Sequence, residues 1–171
     1  MINITYLPAN DPFHAVFRMF VLFPAHESAS CSYESARILD FYVCFPVLIS
    51  EFKCPRPLVK LHNALKRRYI PNTYQVTPKP AVLFNRMRAA QSAAASSLQS
   101  YGFIEPKAFK EGTISRTGKE LPDRVSATVE EHHNEHAELI EFLCELKAYS
   151  PYGPNGLRAR SELEEHRYDD V

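Results

Sequence analysis

The stretch PAVLFNRMRAAQSAAASSLQSYGFI, residues 80 to 104, decides the fold. Leu83, Met87, Ala90, Ala94, Leu98 and Tyr101 recur at alternating three- and four-residue steps, the spacing of one apolar face of an α-helix. Thr77 is placed to cap a long helix from about Lys79 to Tyr101. The run Ala89, Ala90, Ala93, Ala94, Ala95, Ser96 is small enough to admit a second helix at close range. Gly102 falls where a left-handed C-cap belongs, with Phe103 set for the apolar contact beyond it. After Gly102 the period changes. Phe103 and Ile104 read as a short strand, residues 112 to 117 (GTISRT) alternate, and Thr117-Gly118-Lys119 reads as a turn. A helix followed by Gly-Phe-Ile and a β-ribbon is the layout of a winged helix.

Upstream, residues 2 to 6 read as a short strand. Asp11 and Pro12 open a helix to Phe23 that is apolar almost all round, and Pro24 ends it. Ser32 caps a second helix from Tyr33 towards Ile49, with Pro46 expected to kink it or end its regular part. Pro55 and Pro57 open a third helix, with Leu58, Leu61 and Leu65 inward and Lys60, Lys66 and Arg67 outward. Downstream, Pro122 and Asp123 open a helix to about Ala148. Its stripe is Val125, Val129, His132, His136, Leu139, Leu143 and Leu146. Residues 157 to 168 read as a short polar helix. The expected class is α+β, predominantly α-helical: winged-helix-like helices with a small β-ribbon, plus a long C-terminal helix. One domain is expected over residues 1–171, with a helical core and wing over 10–120, the long helix over 122–148 and a tail over 151–171.

Composition excludes more than it identifies. With 171 residues and 45% hydrophobic side chains, a chain can bury about 70% of its unfolded surface and needs no disulfide or metal to be stable. All five glycines lie after position 101, so no phosphate-cradling Gly-rich loop stands near the start, and no G-x-S-x-G elbow occurs. Cys31, Cys44, Cys54 and Cys144 show no C-x-x-C spacing. The apolar run from Phe13 to Phe23 contains Arg18 and has no basic segment before it, so it makes a poor signal peptide. No apolar run reaches the length of a membrane span. The expectation is a soluble protein of the reducing cytoplasm without a membrane contact.

Charge is sorted along the chain. Residues 1–52 carry two basic and five acidic residues, residues 53–104 nine basic and no acidic ones, and residues 105–171 nine basic and fifteen acidic ones. The total is zero, yet the middle segment is strongly cationic. Candidate DNA- or partner-binding residues there are Lys60, Lys66, Arg67 and Arg68, then Arg86 and Arg88. The competing reading is neutralisation within the chain, against the acidic C-terminal helix. Arg18 and Asp40 each sit inside a strongly apolar helix, where a charge must find a partner, so the two are expected to meet or to be satisfied by another polar group. His132 and His136 stand at i, i+4, a spacing that can chelate a metal, but the H-E-x-x-H order is absent and no third ligand is near. Packing at a helix contact is the plainer role for them. No nucleophile–base arrangement can be assembled from the scattered Ser and Cys residues. No catalytic residue, metal site or cofactor is therefore expected.

Several segments carry a family resemblance. Asp11-Pro12-Phe13-His14-Ala15-Val16-Phe17-Arg18-Met19, then Ile38-Leu39-Asp40-Phe41-Tyr42 before Phe45-Pro46, resemble the middle component of bacterial ABC-type three-component systems. Those systems include the Lamassu-type antiphage defences. Tyr69-Ile70-Pro71, Tyr74-Gln75-Val76-Thr77-Pro78 and Phe84-Asn85-Arg86-Met87 through Gln91 fit the same likeness, which covers roughly residues 10 to 120. It implies a small, mainly helical accessory subunit with no catalytic residues. Such a subunit works beside a large SMC/Rad50-like ATPase and an effector, often a nuclease, and reaches double-stranded DNA through the complex. The runner-up is a stand-alone winged-helix DNA-binding regulator; a small metalloenzyme is a distant third.

Overall fold

The computed structural model describes residues 7–24, 30–72 and 78–163. The strand expected over residues 2–6, the Thr77 cap and the far end of the C-terminal tail lie outside them. The described residues are mostly helical, with one small antiparallel ribbon.

Helix α1 (Pro12–Leu22) starts where Asp11 accepts from the Phe13 amide at 2.7 Å, with Pro12 in the first turn. Helix α2 (Tyr33–Cys44) starts where Ser32 accepts from the Ser35 amide at 3.0 Å. It ends before Pro46, and a 3-10 turn (Pro46–Glu51) carries the chain on, so Pro46 ends the α-helix rather than kinking it. A 3-10 turn (Arg56–Leu58) leads into α3 (Val59–Arg68), which buries Leu65 and His62 and packs Leu58 and Leu61 against the core. Helix α4 (Pro80–Ser100) begins at Pro80, and its flanking residue Lys79 contributes no side-chain cap. Its other end is a Schellman motif. Gly102 adopts φ +76°, the Phe103 amide donates to Leu98 O at 2.8 Å, and the Gly102 amide donates to Gln99 O at 3.1 Å.

Beyond α4 lies the small antiparallel ribbon that the sequence led one to expect. Residues 103–105 run antiparallel to 115–117, where the Glu105 amide donates to Ser115 O at 2.9 Å and the Thr117 amide donates to Phe103 O at 3.1 Å. Strand β1 (Ser30–Ser32) pairs antiparallel with β2 (Thr113–Ser115), with Cys31 opposite Ile114, and both of those side chains are buried. A short helix α5 (Pro106–Lys110) fills the space between Ile104 and β2, and residues 103–105 touch the other edge of β2 through an isolated bridge from Ile104 to Arg116. The segment that follows is held by the end of α4. Thr117 Oγ1 donates to Gly102 O at 2.7 Å and Lys119 Nζ donates to Tyr101 O at 2.7 Å. Carbonyls left over at a helix end need donors, and this loop supplies them.

The long C-terminal helix is two helices, α6 (Asp123–Glu135) and α7 (Ala137–Leu146), broken at His136 with φ −117° and ψ 31°. No Gly or Pro marks the break. Arg68 donates to the freed carbonyl of Glu135, and the Tyr69 hydroxyl lies 2.7 Å from His136 Nδ1, so α3 holds the break open. The tail forms α8 (Leu157–Ser161). It is anchored rather than polar throughout, because Leu157 and Leu163 are buried.

The core lies between α1, α2, α4 and α7, where Phe23, Phe41, Tyr42, Phe84 and Phe142 are fully buried. Helix α1 makes its most extensive contact with α4. There Ala15 meets Ala90 and Ala94, each almost completely buried, so the small residues of α4 face α1 as well as solvent. Overfilling such a contact costs about 1–3 kcal/mol. Ala94→Leu is expected to lower the unfolding midpoint in urea accordingly, while Ala93→Leu on the exposed side of α4 leaves it near wild type.

Candidate functional site

Four polar side chains meet inside the core. Asp40 on α2 is fully buried, and Arg18 on α1 is nearly so. Arg18 Nε donates to Asp40 Oδ1 at 2.6 Å and Nη2 donates to Oδ2 at 3.3 Å, a two-pronged contact. Arg18 Nη1 also donates to Pro8 O at 3.1 Å. Gln91 of α4 donates through Nε2 to Asp40 Oδ2 at 2.9 Å and to Arg37 O at 3.1 Å. Arg37 Nε donates back to Gln91 Oε1 at 3.0 Å, while its guanidinium pairs with Glu34 at 3.2 Å and lies 4.5 Å above the Phe84 ring. Desolvation opposes the charge on Arg18, but the charge and hydrogen bonds of Asp40 outweigh it and raise its pKa. The arrangement is structural: it joins α1, α2 and α4 and turns no reactive atom to solvent. Gln91 and Arg37 were missed as members. The available signal was Gln91 itself, a polar residue beside the Ala90 and Ala94 steps of an otherwise small, apolar seam.

The histidines on α6 and at its junction with α7 serve helix contacts. His133 Nε2 donates to Val21 O at 2.7 Å, tying α6 to the end of α1. His132 sits edge-on to Phe17 at 5.7 Å, and its ring centre is 4.5 Å from that of His136. His136 in turn stacks on Tyr69. Among the described residues no group of three or more His, Cys, Asp or Glu side chains is placed to hold a metal. Burial, and then the neighbouring His136 and His133, hold the His132 ring below its ordinary pKa. Burial likewise pushes the Cys31 thiol up to about 12 and the Cys44 thiol up to about 11, so neither offers a thiolate near neutrality.

The basic segment is spread over two exposed helix faces. Arg56, Lys60, Lys66 and Arg67 lie on the outer side of α3 and the turn before it, and Arg86 and Arg88 near the start of α4. Arg68 differs from its neighbours, since it is used inside the chain on Glu135 O and lies 5.7 Å from the Tyr69 ring. Arg88 reaches only Asn85, at 3.3 Å. Arg56, Lys60, Lys66, Arg67 and Arg86 have no hydrogen bond or ion pair among the described residues. The acidic residues that could have neutralised them stand close by in the fold. Helix α3 packs on α7, with His62 stacked on Phe142 at 5.6 Å, yet Glu138, Glu141 and Glu145 of α7 stay exposed without an ion pair to α3. An open cleft of about 540 Å³ beside α6 is lined by Glu120, Asp123, Glu130 and His133.

Residues 4–169 match the family model of ABC-three component (ABC-3C) system Middle Component 5. The chain belongs to that family. As a middle component it is one part of a multi-component system, which implies protein partners. No curated protein and no solved structure matches it. No helix among the described residues is long and apolar enough to cross a membrane.

Two outcomes test the interior. Removing one partner of a buried pair typically costs about 3–5 kcal/mol. Arg18→Ala is expected to lose that much in denaturant unfolding, and the apolar double replacement Arg18→Met with Asp40→Leu to regain a large part of it. A wild-type melt for Arg18→Ala would remove the pair from the structural account. His132 gives a pH signature. Its folded pKa lies below its unfolded one, so its contribution is fully present above the ordinary His value of ~6.5 and is lost as pH falls through the folded value. Stability should therefore drop as the pH falls below the ordinary His value, and His132→Phe should shrink that drop.

Proposed function

We propose that this chain is a non-catalytic bridging subunit of a bacterial antiphage defence complex of the Lamassu kind, in which it links an SMC/Rad50-like ATPase to an effector, often a nuclease. The observation that carries the reading is the match to a middle-component family over nearly the whole chain. The surface supports it: four cations on and beside α3 and three carboxylates on α7 are exposed and leave each other unpaired. One chain can therefore offer a cationic face and an anionic face to two different neighbours. Double-stranded DNA would be met through the assembled complex, in the cytoplasm, with the ATPase adding phosphate contacts of its own.

The experiment is co-expression of the tagged chain with the ATPase and effector subunits of its own system. All three are expected to elute together, and omission of this chain should separate the other two. An ATPase and effector that associate equally well without it would overturn the bridge. Alone, the purified chain should hydrolyse neither ATP nor DNA with magnesium, manganese or zinc present. Turnover that disappears in His132→Ala or His136→Ala would make it an enzyme instead.

A further inference from the structure

Helix α3 is roughly 15 Å long. Lys60, Asn63, Lys66 and Arg67 lie on its outer face at helical steps, Val59 is its first residue, Arg56 stands in the turn before it and Ile70 just beyond its C-cap, and together they form one exposed surface. It holds no acidic residue, and its four cations have no ion pair among the described residues. Two aliphatic side chains stand among them, Val59 at 42% and Ile70 at 75% exposure. Arg68, next to this face, is spent on Glu135 O.

The mixture decides the class of partner. A surface evolved only for phosphates gains from cations and from hydrogen-bond donors. Exposed Val59 and Ile70 add nothing to that and would stay wet against a DNA backbone. An interface between proteins combines the two: apolar residues at its centre and charges at its rim. Charge complementarity then requires carboxylates on the other side. The geometry points to the outer face of α3 as the docking site for an acidic amphipathic helix of a partner subunit. In it, Asp and Glu flank an aliphatic seam that covers Val59 and Ile70. The inference rests on the bridging role proposed above and names the surface and the chemistry of one of its two contacts.

The test uses the full chain co-expressed with the ATPase and effector subunits of its own system. A carbodiimide joins an amine to a carboxylate only where the two already touch. Lys60 or Lys66 is expected to be linked to an Asp or Glu of one partner subunit. Reversing Lys60, Lys66 and Arg67 to Glu should weaken that complex by roughly tenfold or more while the thermal melt stays in place. Placing Lys at the cross-linked partner carboxylate should restore binding. Ile70→Ser should weaken the complex without changing its salt dependence. A triple variant that assembles normally overturns the inference and leaves the bridge standing. So does a cross-link to Glu138, Glu141 or Glu145 of a second copy, and so does a triple variant that loses only binding to a fluorescent DNA duplex. A wild-type chain that forms no complex at all overturns the bridging role itself, and the inference with it.

Discussion

Asp40 is a carboxylate with no access to solvent, and the structure is arranged so that it is never alone. A buried charge without a partner is among the costliest features a core can hold. Here the partners come from two other helices: Arg18 from α1 with two hydrogen bonds, and Gln91 from α4 with one. All three contacts can be made together only at one rotation and one height of each helix. Such a pair contributes little net stability over well-packed apolar side chains, because desolvation cancels most of its attraction. Its effect is on register: a sliding α1 would strand the guanidinium, and a turned α4 would strand the carboxylate. Arg18 extends the constraint to the chain before α1 through Pro8 O.

Close helix approach accompanies these contacts. Gln91 reaches Asp40 on α2 from the same stretch of α4 where Ala90 and Ala94 let Ala15 of α1 come close. A larger residue at any of these positions would lift α1 and lengthen several hydrogen bonds at once. The aromatic side of the core is less demanding. Phe41, Phe84, Phe52 and Phe142 meet edge-on at ring separations of 5.5 to 6.0 Å with their neighbours, contacts that tolerate small shifts. Polar register and small-residue contact together specify the fold, and the aromatic rings fill it.

What the sequence made legible, and what it hid, follows the range of the interactions. Local signals read well. The Asp11 and Ser32 caps, the stop before Pro46 and the Gly102 C-cap each depend on residues a few positions apart. The stripe from Val125 to Leu146 was also legible as a face, since its period survives the break at His136. The break was not, because its cause is Arg68 and Tyr69, which stand 67 positions away. The partner of the ribbon was hidden for the same reason. Residues 112–117 alternate as a strand should, but alternation does not name a partner, and Ser30–Ser32 pairs with them across the fold. In the polar core, an ionised side chain in an apolar helix draws notice, and Arg18 and Asp40 do. Gln91 is neutral and ordinary in a helix, so its place in the network emerges only from the fold.

The surface charges obey a different logic from the buried ones. Helices α3 and α7 run antiparallel: His62 lies against Phe142, and Tyr69 against His136 at the other end. Exposed cations stand on one and exposed carboxylates on the other, and no ion pair joins the two helices among the described residues. The two helices meet in the stack of His62 on Phe142, while Arg68 and Tyr69 at the end of α3 bond to the junction of α6 with α7. Exposed ion pairs contribute at most about 1 kcal/mol each, so the fold gives up little by leaving them unmade. Packing that does not depend on the charges leaves them free to be read by another molecule. A net charge of zero over the chain is therefore the sum of two opposed surfaces, and neither is neutral where a partner would meet it.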